Sequence, residues 1–191
     1  MPPLRVLIAD DDPLIRLDLK QMLINLGYEV VAEAGDGQEA VDFAKAMRPD
    51  VCVLDVKMPQ RDGISALSEI VSEQIAPVIL LTAYSDRELI DSAREAGAFA
   101  YLVKPFKPND LPPAIEVSVS RYRQMHDLQK QVRGLEERIE ARKVIEKAKG
   151  RLMQIEGISE ADAYAKIQQI SMRERISMKT VAERFLQQEA E

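Results

Sequence analysis

The 191-residue sequence contains one cysteine, one histidine and few aromatic residues. No apolar run approaches the roughly 20 residues that a membrane-crossing helix requires, so a membrane partner is not expected. A lone Cys52 rules out a disulfide framework and fits a reducing compartment. Its setting in the apolar run VCVLD marks it as core rather than reactive. Asp10-Asp11-Asp12 interrupt the only apolar run near the N-terminus, so no signal peptide is expected and a cytoplasmic location follows. His126 falls in a helical stretch and is expected to be exposed.

What is present points to a folded chain. The sequence is 46% hydrophobic with 8 Gly and 10 Pro, which argues against disorder and allows one full domain plus a small module. Charge is uneven along the chain. Residues 1–129 carry 13 basic and 21 acidic side chains, net -8, whereas residues 142–179 carry nine and five, net +4. An overall net charge of -6 therefore conceals a mildly basic distal segment.

Apolar strand-like runs at 4–9, 29–34, 50–55, 77–83 and 99–104 alternate with helical patterns. Pro13 suits a first helical turn, Gly27 a stop, and further helices are expected over 64–72, over 86–96 and after Pro108. The first helix is expected to use Leu14, Ile15, Leu17, Leu19, Met22, Leu23 and Leu26 as its apolar face. This rhythm predicts an α/β fold, a doubly wound, five-stranded parallel sheet of flavodoxin-like type, over residues 1–125.

In an open parallel sheet, ligands sit beyond the carboxyl ends of the strands. Strand one ends in Asp10-Asp11-Asp12, strand three in Asp55, strand four in Thr82 and strand five in Lys104. Crowded carboxylates repel one another and call for a cation, and Mg²⁺ suits hard oxygen ligands. Asp12 by itself reads better as a helix cap. An acid cluster, a cation, a hydroxyl and a lysine, with no thiol or general base, fit phosphoryl capture by an aspartate. No second cluster supports an enzymatic output.

The stretches VLIADDD, LDVKMPQRDG, LLTAYS and YLVKPF resemble, in order and spacing, the receiver domain of bacterial two-component response regulators. The resemblance implies that Asp55 accepts a phosphoryl group from a sensor histidine kinase and that Asp10, Asp11, Asp55 and the Lys57 carbonyl hold Mg²⁺. It implies that Thr82 binds the phosphoryl group, that Lys104 pairs with the phosphoaspartate before a cis peptide to Pro105, and that Tyr101 turns inward. Self-phosphorylation from a donor and slow autodephosphorylation follow from the same likeness.

Beyond the receiver, Leu128–Val132–Leu135–Ile139 keeps the 4-3-4 spacing of a coiled-coil seam, while Tyr122–Met125–Leu128 breaks it. Residues 115–140 are therefore a linker helix and a candidate for phosphorylation-promoted pairing between two chains. Gly134 is expected to interrupt this seam, at a cost of about 1 kcal/mol relative to Ala. Helical signal continues to Gln154, and Ser159 and Ser177 open two further helices. The segment lacks the length and strands of a winged helix, though a DNA-binding regulator or a phosphorelay protein with a structural tail remain as alternatives.

Residues 141–186, notably AKGRLM, SEADAY and KTVAE, resemble the ANTAR domain, a three-helix RNA-binding module of transcription antiterminators. Within that family the chain resembles mycobacterial receiver–ANTAR antitermination regulators. The likeness implies that residues 141–191 bind an RNA hairpin of the nascent transcript. Ala148, Lys149, Gly150, Met153 and Ala163 match its signature, while Ser171 and Met178 stand where it usually has Ala and Leu. Lys149, Arg151 and Lys179 are the leading RNA contacts, with Arg142, Lys143 and Gly150 beside them. Tyr164 is a core residue or a stacking ring for a base.

Overall fold

The computed structural model describes residues 2–83 and 97–187, which form two compact units, Met1–His126 and Asp127–Glu191. The helix expected over residues 86–96 lies outside the described residues. In the first unit, strands β1 (Arg5–Ala9), β2 (Glu29–Ala34), β3 (Val51–Asp55), β4 (Val78–Ala83) and β5 (Ala100–Lys104) alternate with helices α1 (Pro13–Asn25), α2 (Gly37–Met47) and α3 (Gly63–Ser72). All strand pairs are parallel, in the order β2-β1-β3-β4-β5. This is the flavodoxin-like winding, whose order reverses between β1 and β3.

The two-residue period of the strands divides their side chains between two layers. Leu7, Cys52, Leu54, Val78 and Leu80 pack with α2 and α3. Val6, Ile8, Val51, Val53, Ile79 and Leu81 pack on the other face with α1 and the start of the last long helix. A strand covered on both faces must be apolar throughout, which is why these segments read as unbroken runs. Cys52 is fully buried, and burial pushes its thiol far above the usual range.

Aspartates fix the helix starts. Asp12 accepts from the Leu14 N–H at 2.8 Å, Asp36 from Gln38 and Glu39, and Asp62 from Ser65 at 2.7 Å. The apolar face of α1 is narrower than the sequence suggests. Leu19 and Leu23 are buried, whereas Leu14 and Leu17 are 76% and 53% exposed. At about 100° per residue these two lie across the helix from Leu19, so they form an outer apolar surface.

Helix α4 (Leu111–Glu156) starts in the first unit and continues into the second, where α5 (Glu160–Glu174) and α6 (Met178–Gln187) follow. Its stripe changes partners along its length. Leu111, Ile115 and Val119 are buried in the core of the first unit, and the Tyr122 ring meets Phe99 edge-on at 5.5 Å. Leu128, Val132, Leu135 and Ile139 are each more than half exposed. The break in spacing at 122–125–128 thus falls where the stripe leaves the core. Gly134 occupies an outer position, c in a heptad with Val132 and Ile139 at a, so it does not interrupt the seam. His126 is half-buried rather than exposed, its ring 5.9 Å from that of Tyr122.

In the second unit, Ala148, Leu152, Ala163, Ile167, Val181 and Ala182 make a small core shared by the three helices. Ser159 caps α5 by accepting from the Asp162 N–H at 3.2 Å, and Ser177 caps α6 by accepting from the Thr180 N–H at 3.0 Å. The hydroxyl of Ser171, one of the two off-pattern residues, donates to the Ile176 carbonyl at 2.6 Å and closes the turn between α5 and α6. Among the described residues no helix is long and apolar enough to cross a membrane.

Candidate functional site

Strand register brings the rim of the sheet together. Ala9 pairs with Leu54, so Asp10 stands level with Asp55; Asp55 pairs with Leu81, and Lys104 with Ala83. The Lys104 ammonium then lies 2.7 Å from Asp10 Oδ2 and 2.6 Å from Asp55 Oδ1. Carboxylate oxygens of Asp10, Asp11 and Asp55 all lie within 4.8 Å of one another, with Asp10 and Asp55 buried and Asp11 open to solvent. This all-oxygen donor set, only partly neutralised by Lys104, fits a hard divalent cation better than a thiol- or imidazole-seeking one.

Supporting bonds hold these groups. The Asp12 N–H donates to Asp10 Oδ1 at 3.0 Å, Arg16 donates to the Asp10 carbonyl at 2.5 Å, and the Lys57 N–H donates to Asp55 Oδ2 at 3.2 Å. Burial pushes the Asp55 carboxyl above the usual carboxylate range; Lys104 opposes this and the Asp10 charge adds to it. For Lys104, burial works against the ammonium, yet the hydrogen bonds to Asp10 and Asp55 outweigh it and hold its pKa above that of an ordinary lysine. The Lys104–Pro105 peptide is cis. A groove lined by Asp11, Val56, Lys57, Met58, Asp62, Ile64 and Ser65 opens beside the acids.

Two further expected residues lie on β4 and β5. Thr82 is buried on β4, its hydroxyl 3.3 Å from the Ala83 carbonyl, and Tyr101 is half-exposed on β5. Asp12, as read from sequence, serves as a cap.

Two glycines escaped the sequence reading as structural parts of the site. A Cβ on Gly63 would lie 2.0 Å from the Asp55 carbonyl oxygen, and one on Gly37 would lie 2.3 Å from that of Arg61. The Gly63 N–H donates to the Val56 carbonyl at 2.9 Å and the Gly37 N–H to that of Arg61 at 3.1 Å. The turn after Asp55 is thus clamped between the starts of α2 and α3. Gly63→Ala is expected to lower unfolding free energy by at least about 1–3 kcal/mol in urea titration, because backbone has little room to yield. The Arg-Asp-Gly ending of the motif was the available signal, since glycine suits close backbone approach.

The second unit sorts its basic residues. Lys149 is buried and bonded to Glu146 at 2.9 Å and Glu160 at 2.7 Å, tying α4 to α5; those bonds, Glu160 first, raise its pKa. Arg142 and Lys143 are exposed, Arg151 is half-buried, and Lys179 lies 3.8 Å from Glu183. Apart from its own helix turn, no described residue lies within 4 Å of a Cβ added to Gly150. Tyr164 is 45% exposed, outside the core.

The chain belongs to the response regulator family: it matches the response regulator receiver domain over residues 6–116, and the ANTAR domain over residues 133–186. Over 185 residues it is 55% identical to the transcriptional regulatory protein PdtaR of Mycobacterium tuberculosis, spanning 97% of this chain and 90% of that protein. It is 38% identical to the chemotaxis protein CheY of Thermotoga maritima over 112 residues, 58% of this chain and 93% of CheY. Among solved structures it resembles a Francisella response regulator receiver domain, with 34% identity and a TM-score of 0.56, covering 62% of this chain and 98% of that one. It also resembles a CheX–CheY–BeF3–Mg²⁺ complex from Borrelia burgdorferi, with 31% identity and a TM-score of 0.56, covering 59% of this chain and 87% of that one.

Proposed function

We infer that the chain is a phosphorylation-controlled regulator that binds RNA hairpins to cause transcription antitermination, acting in the cytoplasm. The observation that carries the phosphoryl-acceptor reading is the Lys104 ammonium shared between Asp10 and Asp55. An Asp55 carboxylate oxygen attacks the phosphorus of a donor, such as the phosphohistidine of a sensor histidine kinase, and the donor's bond to phosphorus breaks. Lys104 would stay with the new phosphoryl oxygens, Thr82 would donate a hydrogen bond to them, and Tyr101 would turn inward as Thr82 shifts. Asp10, Asp11, Asp55 and the Lys57 carbonyl would hold Mg²⁺, which supplies charge neutralisation when bound. Leu14 and Leu17, exposed beside this rim, offer apolar surface for the kinase to cover. Slow autodephosphorylation by water would reset the site.

The cation assignment makes a direct prediction. Asp11→Ala removes a solvent-facing carboxylate and part of the local charge, so Mg²⁺ titration should show an affinity lower by about tenfold or more. Unchanged affinity would reject Asp11 as a ligand.

For RNA, the supporting feature is Gly150. Helical geometry sets it on one face with Lys143 and Lys147, with Arg151 adjacent, and leaves open space where a side chain would stand. A phosphate backbone can approach that strip closely. Arg142 and Lys179 extend the basic field, whereas Lys149 must be won by phosphate from Glu146 and Glu160. Binding of the phosphorylated chain to hairpin RNA, compared with duplex DNA, tests this reading; preference for the duplex would replace it with a DNA-binding regulator.

A further inference from the structure

A cavity of about 320 Å³ opens between α5 and α6 and takes no part in the sites above. One row of α5, Lys166, Ile170 and Glu174 at successive i,i+4 positions, faces Val181, Arg184 and Phe185 of α6. Its floor is apolar, from Ile170, Val181 and Phe185, and its rim carries Lys166, Arg184 and Glu174. Lys166 lies 6.0 Å from the Phe185 ring centroid and bonds Glu156 at 2.6 Å. Arg184 bonds Glu174 at 2.7 Å, and Arg173 reaches it at 3.3 Å. An apolar slot with a few convergent polar groups has the form of a small-ligand site, and its volume falls in the usual range of roughly 300–1,000 Å³.

We infer that this cavity receives one unstacked guanine of the bound RNA, a conclusion that rests on the RNA-binding reading and adds a base-specificity site to it. Unpaired RNA bases are recognised by stacking on aromatic or guanidinium planes and by hydrogen bonds to their edges. Phe185 and Arg184 supply such surfaces, and Lys166 can meet a flanking phosphate. Glu174 sets the choice of base. A carboxylate on a nucleic-acid surface opposes phosphate, so its use lies in accepting from base N–H groups. The two arginines, Arg173 first, hold its pKa below the usual range, so it stays an acceptor with lone pairs to spare. Guanine alone presents two adjacent donors, N1–H and the 2-amino group, on its Watson–Crick edge. Adenine and cytosine set an acceptor nitrogen beside their amino group, and uracil flanks its single N–H with carbonyls.

The experiment uses the full-length phosphorylated chain and a pool of hairpin RNAs with randomised loops. Wild type should enrich loops with a guanine at a fixed position, and inosine there, which lacks the 2-amino group, should weaken binding by about tenfold. Glu174→Gln, close in shape, should bring guanine and inosine within about twofold of each other. Lys143→Gln should weaken all loops alike and leave the preference intact. Arg184→Gln should lower affinity while keeping guanine ahead, a second reading should Glu174→Gln melt early. Guanine preference that survives in a folded Glu174→Gln overturns the inference and leaves RNA binding standing. Failure of wild type to enrich any loop removes the RNA reading and the base site together.

Discussion

Incubated with Mg²⁺ and a small phosphoryl donor, the wild-type chain should gain one acid-stable, base-labile phosphoryl adduct, and Asp55→Asn should gain none. Asn keeps the shape of the side chain but loses the charge that makes its oxygen a nucleophile. It also removes the carboxylate that Lys104 holds at 2.6 Å. Among the described residues Asp10 is the only other buried acid on the rim, and it is already bound by Lys104 and the Asp12 N–H. Lys104→Ala leaves the nucleophile in place, so it should still label, though slowly. Intact-mass measurement over time separates the two variants, and equal labelling of Asp55→Asn and wild type would defeat the assignment.

The second large effect concerns the exposed seam of α4. Leu128, Val132, Leu135 and Ile139 present about two heptads of apolar side chains that the described residues leave more than half exposed. A seam this short is marginal by itself, which suits pairing that a few kcal/mol from the receiver can tip. Two joined chains would also present two basic modules, and linkage raises the effective concentration of the second contact. Val132→Asp combined with Leu135→Asp should therefore leave phosphorylation of Asp55 unchanged, keep the chain monomeric and abolish the gain in RNA affinity. Sedimentation of the phosphorylated wild type with a hairpin RNA decides it. One chain per RNA at full affinity would sink the pairing model and favour simple uncovering of the RNA surface.

The receiver was legible in the sequence because its information is local and periodic. Apolar runs marked the strands, and the acids and lysine fell at their ends, where any parallel sheet collects them. Register did the remaining work, and no sequence pattern states it. That Lys104 reaches Asp10 as well as Asp55 depends on β5 lying beyond β4. Leu14 and Leu17 share the apolar character of Leu19 but point away from it, a difference that appears only when residues are set at about 100° steps around α1. In the distal unit, charge was visible but pairing was not. Lys149 looked like one more cation in a basic run, yet Glu160, 11 positions on, folds back to meet it. The cavity between α5 and α6 had no signature, since its two rows belong to different helices.

The turn after Asp55 meets α2 and α3 through main-chain atoms, at Gly37 and Gly63. Contacts of this kind offer no side chain to lengthen, shorten or recharge. Evolution and engineering can grade the Lys104 bridge or the groove beside it, residue by residue. The clamp allows only retention or loss. Differences in switching rate among related chains should therefore map to side chains around the groove, while the pitch of this turn stays common to them all.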